Sequence, residues 1–325
     1  MGHYLVTGAA GFIGARVTEL LLEAGHQVRG LDDLNPAYDP RLKDYRLARL
    51  RKLPGFEFSQ VDISDRPSLT QAWGEQVFEA VLNIAARAGV RASVRSPWEY
   101  AQTNVLGLIN ILELCTQRRV AKFVQASTSS LYGANTPRPF QEDAPVGRPL
   151  SPYAATKGGA ELLTHAYHHL HGLDVSVLRY FTVYGPAGRP DMSIYRFVQW
   201  IAEDRPLRLH GDGQQERDFT YVDDIARGTI AALRPLGYEV INLGGDRPSK
   251  LMDVIHRIEE LLGKQARLDP HPPEAADVPG TWANIAKARR LLDWEPKTEF
   301  GAGLQQTVGW YLQEREWAKK VDTAD

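Results

Sequence analysis

The feature that most constrains this chain is its first glycine cluster. Gly8-Ala9-Ala10-Gly11-Phe12-Ile13-Gly14 follows a short apolar run, Tyr4–Thr7, and opens a segment with helical periodicity, Phe12–Ala24. A strand that turns through glycine directly into a helix is the first half of a βαβ unit. The alternation continues through the N-terminal half. Further strands are expected at Gln27–Asp32, Phe56–Val61, Ala80–Ile84 and Lys122–Ala126, with helices at Arg41–Leu53, Pro67–Gly74 and Pro97–Gln117. A long helix, Pro152–His171, and a strand, Asp174–Tyr180, extend the series. Short apolar strands separated by helices predict a parallel sheet covered on both faces, and right-handed crossovers then give a doubly wound α/β fold. After Gly185 the pattern loosens into loops, a helix at Ile194–Glu203 and short strands near Leu207 and Phe219. We expect residues 1–180 to form the first domain, with later segments returning to it, and residues 181–325 to form mainly a smaller α/β lobe.

Glycines between a first strand and a first helix allow a tight turn, close approach of backbone to a pyrophosphate, and tight helix-on-strand packing. The freed amides and the helix dipole then bind phosphate. A glycine trio alone is a weak signal, and its place at Gly8 and Gly11 between strand and helix strengthens it. The second strand ends at Asp32, 18 residues after Gly14. A carboxylate there accepts hydrogen bonds from an adenosine ribose diol and repels a 2′-phosphate, so the Rossmann-like domain is expected to bind NAD rather than NADP. Asp62, after the third strand, can reach an adenine amino group, although its spacing equally suits a simple turn acid.

Composition narrows the partners. The 325 residues carry a formal net charge of -2, which gives no global attraction to nucleic acid or an anionic membrane. Any phosphate must be met by local arginines and amides. With Cys115 as its one cysteine, the chain has no intrachain disulfide and no zinc cluster, and no metal is expected. No apolar run approaches the ~20 residues needed to cross a bilayer, and the N-terminus lacks a secretory pattern, so a cytoplasmic protein is expected. His165, His168, His169 and His171 share a helix without a completing carboxylate motif and read as a solvated or interface face. Trp294 reads as packing for the second lobe.

Tyr153-Ala154-Ala155-Thr156-Lys157 sets a phenol and an ammonium one helical turn apart on one face. A free phenol has a pKa of about 10, too high for a base at neutral pH, and a nearby cation lowers it. Alone, such a pair would also suit a solvated surface. Its company decides otherwise: Ser127-Thr128-Ser129-Ser130-Leu131-Tyr132-Gly133 follows the fifth strand, and the carboxyl end of a parallel strand is where ligands bind. Hydroxyls there can share a sugar proton with Tyr153.

The glycine fingerprint, the hydroxyl motif and Tyr-x-x-x-Lys, in this order, resemble the extended short-chain dehydrogenases/reductases of the NAD-dependent epimerase/dehydratase family. The likeness extends to Arg217-Asp218-Phe219-Thr220-Tyr221-Val222-Asp223-Asp224. It implies a tightly held NAD, contacted by Phe12, Ile13, Asn35, Ile63, Ala85, Ala86, Asn104, Tyr180 and Val183 besides the residues above. It implies Thr128, Tyr153 and Lys157 as the catalytic group, and a UDP-sugar held by Arg91, Arg217 and Asp277. It also implies a homodimer formed through the helices around residues 97–117 and 152–171. Family dehydratases carry Thr-Asp-Glu after the fifth strand and the decarboxylases usually Thr-Ser-Glu. Here Thr128-Ser129-Ser130 supplies no acid, which leaves reversible oxidation at one carbon, C4 epimerisation through a 4-keto sugar.

Arg87-Ala88-Gly89-Val90-Arg91, the run Thr182–Met192, and Asp32-Asp33-Leu34-Asn35 leading into Tyr38-Asp39-Pro40-Arg41-Leu42-Lys43 resemble the UDP-glucuronate 4-epimerases. Arg87 departs from their usual glutamine and Ala276 from their usual glycine. A 4-keto uronate is a β-keto acid prone to lose CO2, so its carboxylate needs polar partners; Ser129, Ser130 and Thr182 are the candidates. Arg189 stands nearby, with a carboxylate or a phosphate equally open as its anion. A UDP-glucose or other UDP-hexose 4-epimerase, a UDP-glucuronate decarboxylase and a non-catalytic NAD sensor are the competing readings.

Overall fold

The computed structural model describes residues 1–273 and 278–323. The strands in chain order are β1 (His3–Thr7), β2 (Gln27–Asp32), β3 (Phe56–Gln60), β4 (Ala80–Asn83), β5 (Lys122–Thr128), β6 (Asp174–Tyr180), β7 (Thr182–Tyr184), β8 (Pro206–His210), β9 (Glu216–Tyr221), β10 (Tyr238–Leu243), β11 (Pro248–Lys250) and β12 (Arg267–His271). Seven of them form one sheet in the order β10-β6-β5-β4-β1-β2-β3, every pair parallel. The expected doubly wound fold is present, and β10 reaches it from the second half of the chain. Smaller sheets, β11-β9-β7 and β12-β8, belong to the C-terminal lobe.

Alternate residues of each strand face opposite layers. Val6, Leu82, Val124 and Leu178 point into one buried cluster, while their neighbours Leu5, Val81, Phe123 and Val177 point into another. This two-sided burial is why the central strands are uninterrupted apolar runs. Trp294, expected in the second lobe, instead joins the first of these clusters, its indole N–H donating to the Asp224 carbonyl at 2.8 Å. A third cluster, with Val198, Phe219, Ile255, Leu304 and Tyr311, forms the core of the C-terminal lobe.

Strand order reverses between β1 and β4, opening a crevice at the strands' carboxyl ends, the place where such sheets bind ligands. Below it, Thr7 donates to Asn83 at 2.6 Å and Asn83 to Gln125 at 2.9 Å, tying β1, β4 and β5 together. The helix expected over Pro97–Gln117 is broken into Pro97–Ala101, a π-helical turn at Gln102–Gly107, and Leu108–Gln117. The wide turn places Asn104 against the Arg87 backbone, whose N–H and carbonyl it bonds at 2.8 and 3.0 Å. No helix among the described residues is long and apolar enough to cross a membrane.

Candidate active site

The glycine loop works by absence of side chains. Gly8 has φ +69°, and a Cβ on it would lie 2.8 Å from the Ala85 nitrogen; a Cβ on Gly14 would lie 2.1 Å from the Gly8 carbonyl oxygen. Backbone cannot move aside at either point, so these positions require glycine. The loop's Ala10 N–H donates to Asp32 Oδ2 at 3.1 Å, and Leu34 N–H donates to Oδ1 at 2.9 Å. Asp32 is also paired with buried Lys43 at 3.0 Å. In the sequence nothing marks Lys43 as the partner of Asp32, 11 positions away. The ammonium compensates the buried charge and fixes the carboxylate's orientation.

One cavity gathers Gly8, Gly11, Phe12, Ile13, Asp32, Asn35, Asp62, Ile63, Ala85, Ala86, Tyr153, Lys157, Tyr180 and Val183 with Thr128, Ser129, Ser130, Thr182 and Arg189. Its lining suits NAD: a side-chain-free loop at a helix N-terminus for phosphate, and Asp32 at the end of β2 for a ribose diol. Asp62 accepts from the Ser64 N–H and hydroxyl, both at 2.8 Å, and lines the same cavity. The Tyr180 hydroxyl turns away to Thr229 at 2.8 Å. Asn104 is not in the cavity lining; it holds the Arg87 backbone and reaches Thr156 at 3.1 Å.

Tyr153 and Lys157 stand on the helix Pro152–His171. Its start is set by Ser151, whose hydroxyl accepts the Ala154 N–H at 3.2 Å, and by Pro152 in the first turn. Tyr153, Lys157 and Glu161 follow at four-residue intervals along one face. No motif in the sequence marks Glu161. It is buried, accepts the Ser127 hydroxyl at 2.5 Å, and forms a two-point ion pair with Arg179 at 2.9 and 2.7 Å. Burial pushes the Tyr153 phenol up, against a hydrogen bond from Thr128 and the positive charge of Arg189. Burial pushes Lys157 down to about 8, and the charge of Glu161 opposes that fall. The Thr128 and Ser130 hydroxyls lie 3.2 Å apart, and both line the cavity with Ser129 and Tyr153.

Arg189, also in the cavity lining, forms a side-on pair with Asp191 and donates to the Ala88 carbonyl at 3.2 Å. Arg91, on the helix Val90–Arg95, and Arg217, on β9, lie outside the cavity lining. Asp277 and Ala276 lie outside the described residues. Arg87 does not line the cavity either; its guanidinium pairs with Glu99 at 3.4 Å.

Residues 4–244 match the model of the NAD dependent epimerase/dehydratase family. The chain is 54% identical over 322 residues to a UDP-glucuronate 4-epimerase of Thermodesulfobacterium geofontis, covering 99% of each chain. Among solved structures, it is similar to the Bacillus cereus UDP-glucuronic acid 4-epimerase in complex with UDP-glucuronic acid and NAD, with TM-score 0.89, 37% identity, and 96% and 99% of the two chains covered. It is also similar to the Thermotoga maritima UDP-glucose 4-epimerase with UDP-glucose, with TM-score 0.87, 30% identity, and 96% and 99% covered. With the glycine loop, the hydroxyl motif and the Tyr153–Lys157 helix meeting in one cavity, this chain belongs to the NAD-dependent epimerase/dehydratase family.

Proposed function

We propose that this enzyme inverts C4 of UDP-glucuronate to give UDP-galacturonate. The observation that carries the reading is the rim beside Tyr153, where Thr128, Ser129, Ser130 and Thr182 line the cavity and no acid follows Thr128. That rim lacks the groups for elimination, and its hydroxyls suit a uronate carboxylate. The high identity to a relative named for this activity, and a solved relative holding UDP-glucuronic acid and NAD, support the same substrate.

When bound, NAD supplies a reversible two-electron acceptor for C4 and leaves each turnover in the form in which it entered. Tyr153 as phenolate removes the O4 proton, with Thr128 sharing the hydrogen bond; Lys157 and Arg189 stabilise the negative charge on the phenol. The flat C4 lets the sugar present its other face, and Tyr153 returns the proton to the inverted hydroxyl. Ser129, Ser130 and Thr182 hold the carboxylate meanwhile. A hydrogen-bonded carboxylate keeps its charge solvated, which opposes loss of CO2. We also assign the protein to the cytoplasm as a homodimer. Trp98, Leu106, Leu162 and Leu170 are 85, 56, 75 and 69% exposed on the helices at residues 97–117 and 152–171, an apolar surface that a second copy would bury.

Proton NMR of the purified protein with UDP-glucuronate and no added cofactor tests the reading. UDP-galacturonate should appear. An unchanged uronate alongside turnover of UDP-glucose would overturn the substrate assignment. Thr182→Ala should release more CO2 and UDP-pentose per epimerisation than wild type. An unchanged ratio in Thr182→Ala, Ser129→Ala and Ser130→Ala alike would remove the carboxylate-holding role.

A further inference from the structure

Arg46 stands on the helix Arg41–Leu50, apart from the catalytic helix and the glycine loop, and is 5% exposed. A guanidinium has five N–H donors in one plane, and here every nitrogen is engaged. Nη1 donates to the Ala10 carbonyl at 3.2 Å and to the Tyr38 hydroxyl at 2.8 Å. Nε and Nη2 both donate to the Ala187 carbonyl, at 3.1 and 2.6 Å, and Nη2 also to Gly188 at 3.3 Å. The rings of Phe12 and Tyr38 lie 5.7 and 5.6 Å from the guanidinium carbon. Among the described residues its hydrogen-bond partners are therefore carbonyls and a phenol. A buried cation without a paired carboxylate is costly in itself, so its contribution lies in what the fork holds together.

What it holds is one piece of each half of the site. Ala10 belongs to the glycine loop, and with its carbonyl on Arg46 and its N–H on Asp32 the loop is fixed from both sides. Ala187 has φ +51°, a left-handed conformation that alanine rarely adopts. Its doubly bonded carbonyl fixes that turn, and two residues later Arg189 enters the cavity near Tyr153. Tyr38, the remaining partner, lines the same cavity.

We propose that Arg46 is a positioning residue that couples the two halves of the site, so that a dinucleotide seated on the glycine loop sets, through Ala10, Arg46 and Ala187, the loop that carries Arg189 over the sugar nucleotide. The proposal rests on the assignment of NAD and a UDP-sugar to this cavity. Lysine cannot replace the fork, because a point ammonium with three donors cannot span three separate segments.

The test measures coupling rather than turnover. Calorimetric titration with UDP, on protein stripped of NAD and on protein saturated with it, gives two affinities for each variant. In wild type NAD should strengthen UDP binding by about ten-fold. In Arg46→Lys that ratio should fall to about one- to two-fold, and in Tyr38→Phe, which removes a single acceptor and spares the fold, by about two- to three-fold. Should Arg46→Lys fail to fold, Arg46→Gln, whose neutral amide keeps fewer donors and buries no unpaired ammonium, decides by the same ratio. A ratio kept at the wild-type value in the folded variants, with both affinities weakened together, assigns Arg46 a purely structural role and overturns the proposal. UDP binding without coupling in wild type overturns it as well. No UDP binding at all would remove the nucleotide-sugar assignment on which it stands.

Discussion

At Tyr153 and Lys157 burial acts against both members of the proposed catalytic pair. It pushes the phenol up and the ammonium down to about 8, while Thr128, Arg189 and Glu161 oppose those shifts. The proposed mechanism needs the phenol deprotonated and the ammonium charged, so the rate should rise with pH on an acid limb set by the pair. In Lys157→Met the lost cation leaves the phenol higher still, and that limb of the kcat profile should move up by about one pH unit or more. Tyr153→Phe should cost about 10²- to 10⁴-fold in kcat with UDP-sugar binding retained, as titration would verify. Stability carries the same signature. The folded-state value of about 8 for Lys157 lies below its ordinary 10.5, so between those pH values the unfolded chain binds more protons. Stability from this group should therefore rise as pH climbs through that window, with the full burial cost present below it. Urea melts at about pH 7 and about pH 9.5 should show the gain in wild type and not in Lys157→Met.

The element that organises the site is the helix Pro152–His171. Its N-cap contributes on the ordinary scale, so Ser151→Ala should lower stability by about 1 kcal/mol in urea titration. Glu161 is a different matter. Glu161→Gln leaves Arg179, 3% exposed, without its carboxylate inside the protein, and should cost about 3–5 kcal/mol. The double change Glu161→Gln with Arg179→Met should recover most of that loss, whereas additive losses would show that the pair is not the cause. The helix itself was legible in the sequence over Pro152–His171, as observed. Glu161 was not, because its partners Ser127 and Arg179 come from neighbouring strands and its position in the helix looks like any solvated glutamate. The break within Pro97–Gln117 was illegible for a similar reason, since it serves a contact between Asn104 and the distant Arg87 backbone.

Across the whole molecule, two features go beyond the single site. The segment 182–192 contributes to the lining of the crevice where strand order reverses, so Asp32 and Arg189 share one cavity although they stand far apart in the chain. The exposed apolar residues on the two outer helices set the second expectation. Sedimentation should show a dimer, and Leu162→Glu combined with Trp98→Glu should shift it to monomer with the catalytic cavity intact. A wild-type monomer at micromolar concentration would remove the assignment.

What the sequence by itself determined is what local chemistry dictates. A glycine loop between strand and helix needs no distant partner to be read, because only glycine allows the backbone to pass so close to itself at Gly8 and Gly14. The apolar strands and the Tyr153–Lys157 spacing are equally local, one through pleating and burial, the other through the helical repeat. The tertiary structure alone decided the rest. It paired Asp32 with Lys43, placed Glu161 beneath Lys157, sent Trp294 to the first core, left Arg91, Arg217 and Asn104 out of the cavity lining, and brought Arg46 between Ala10 and Ala187. Glu161 meets Lys157 within one helix, but its burial by Ser127 and Arg179, like the other placements, is settled only once distant segments pack together. A charged or polar residue reads the same in the sequence whether it faces water or a buried partner.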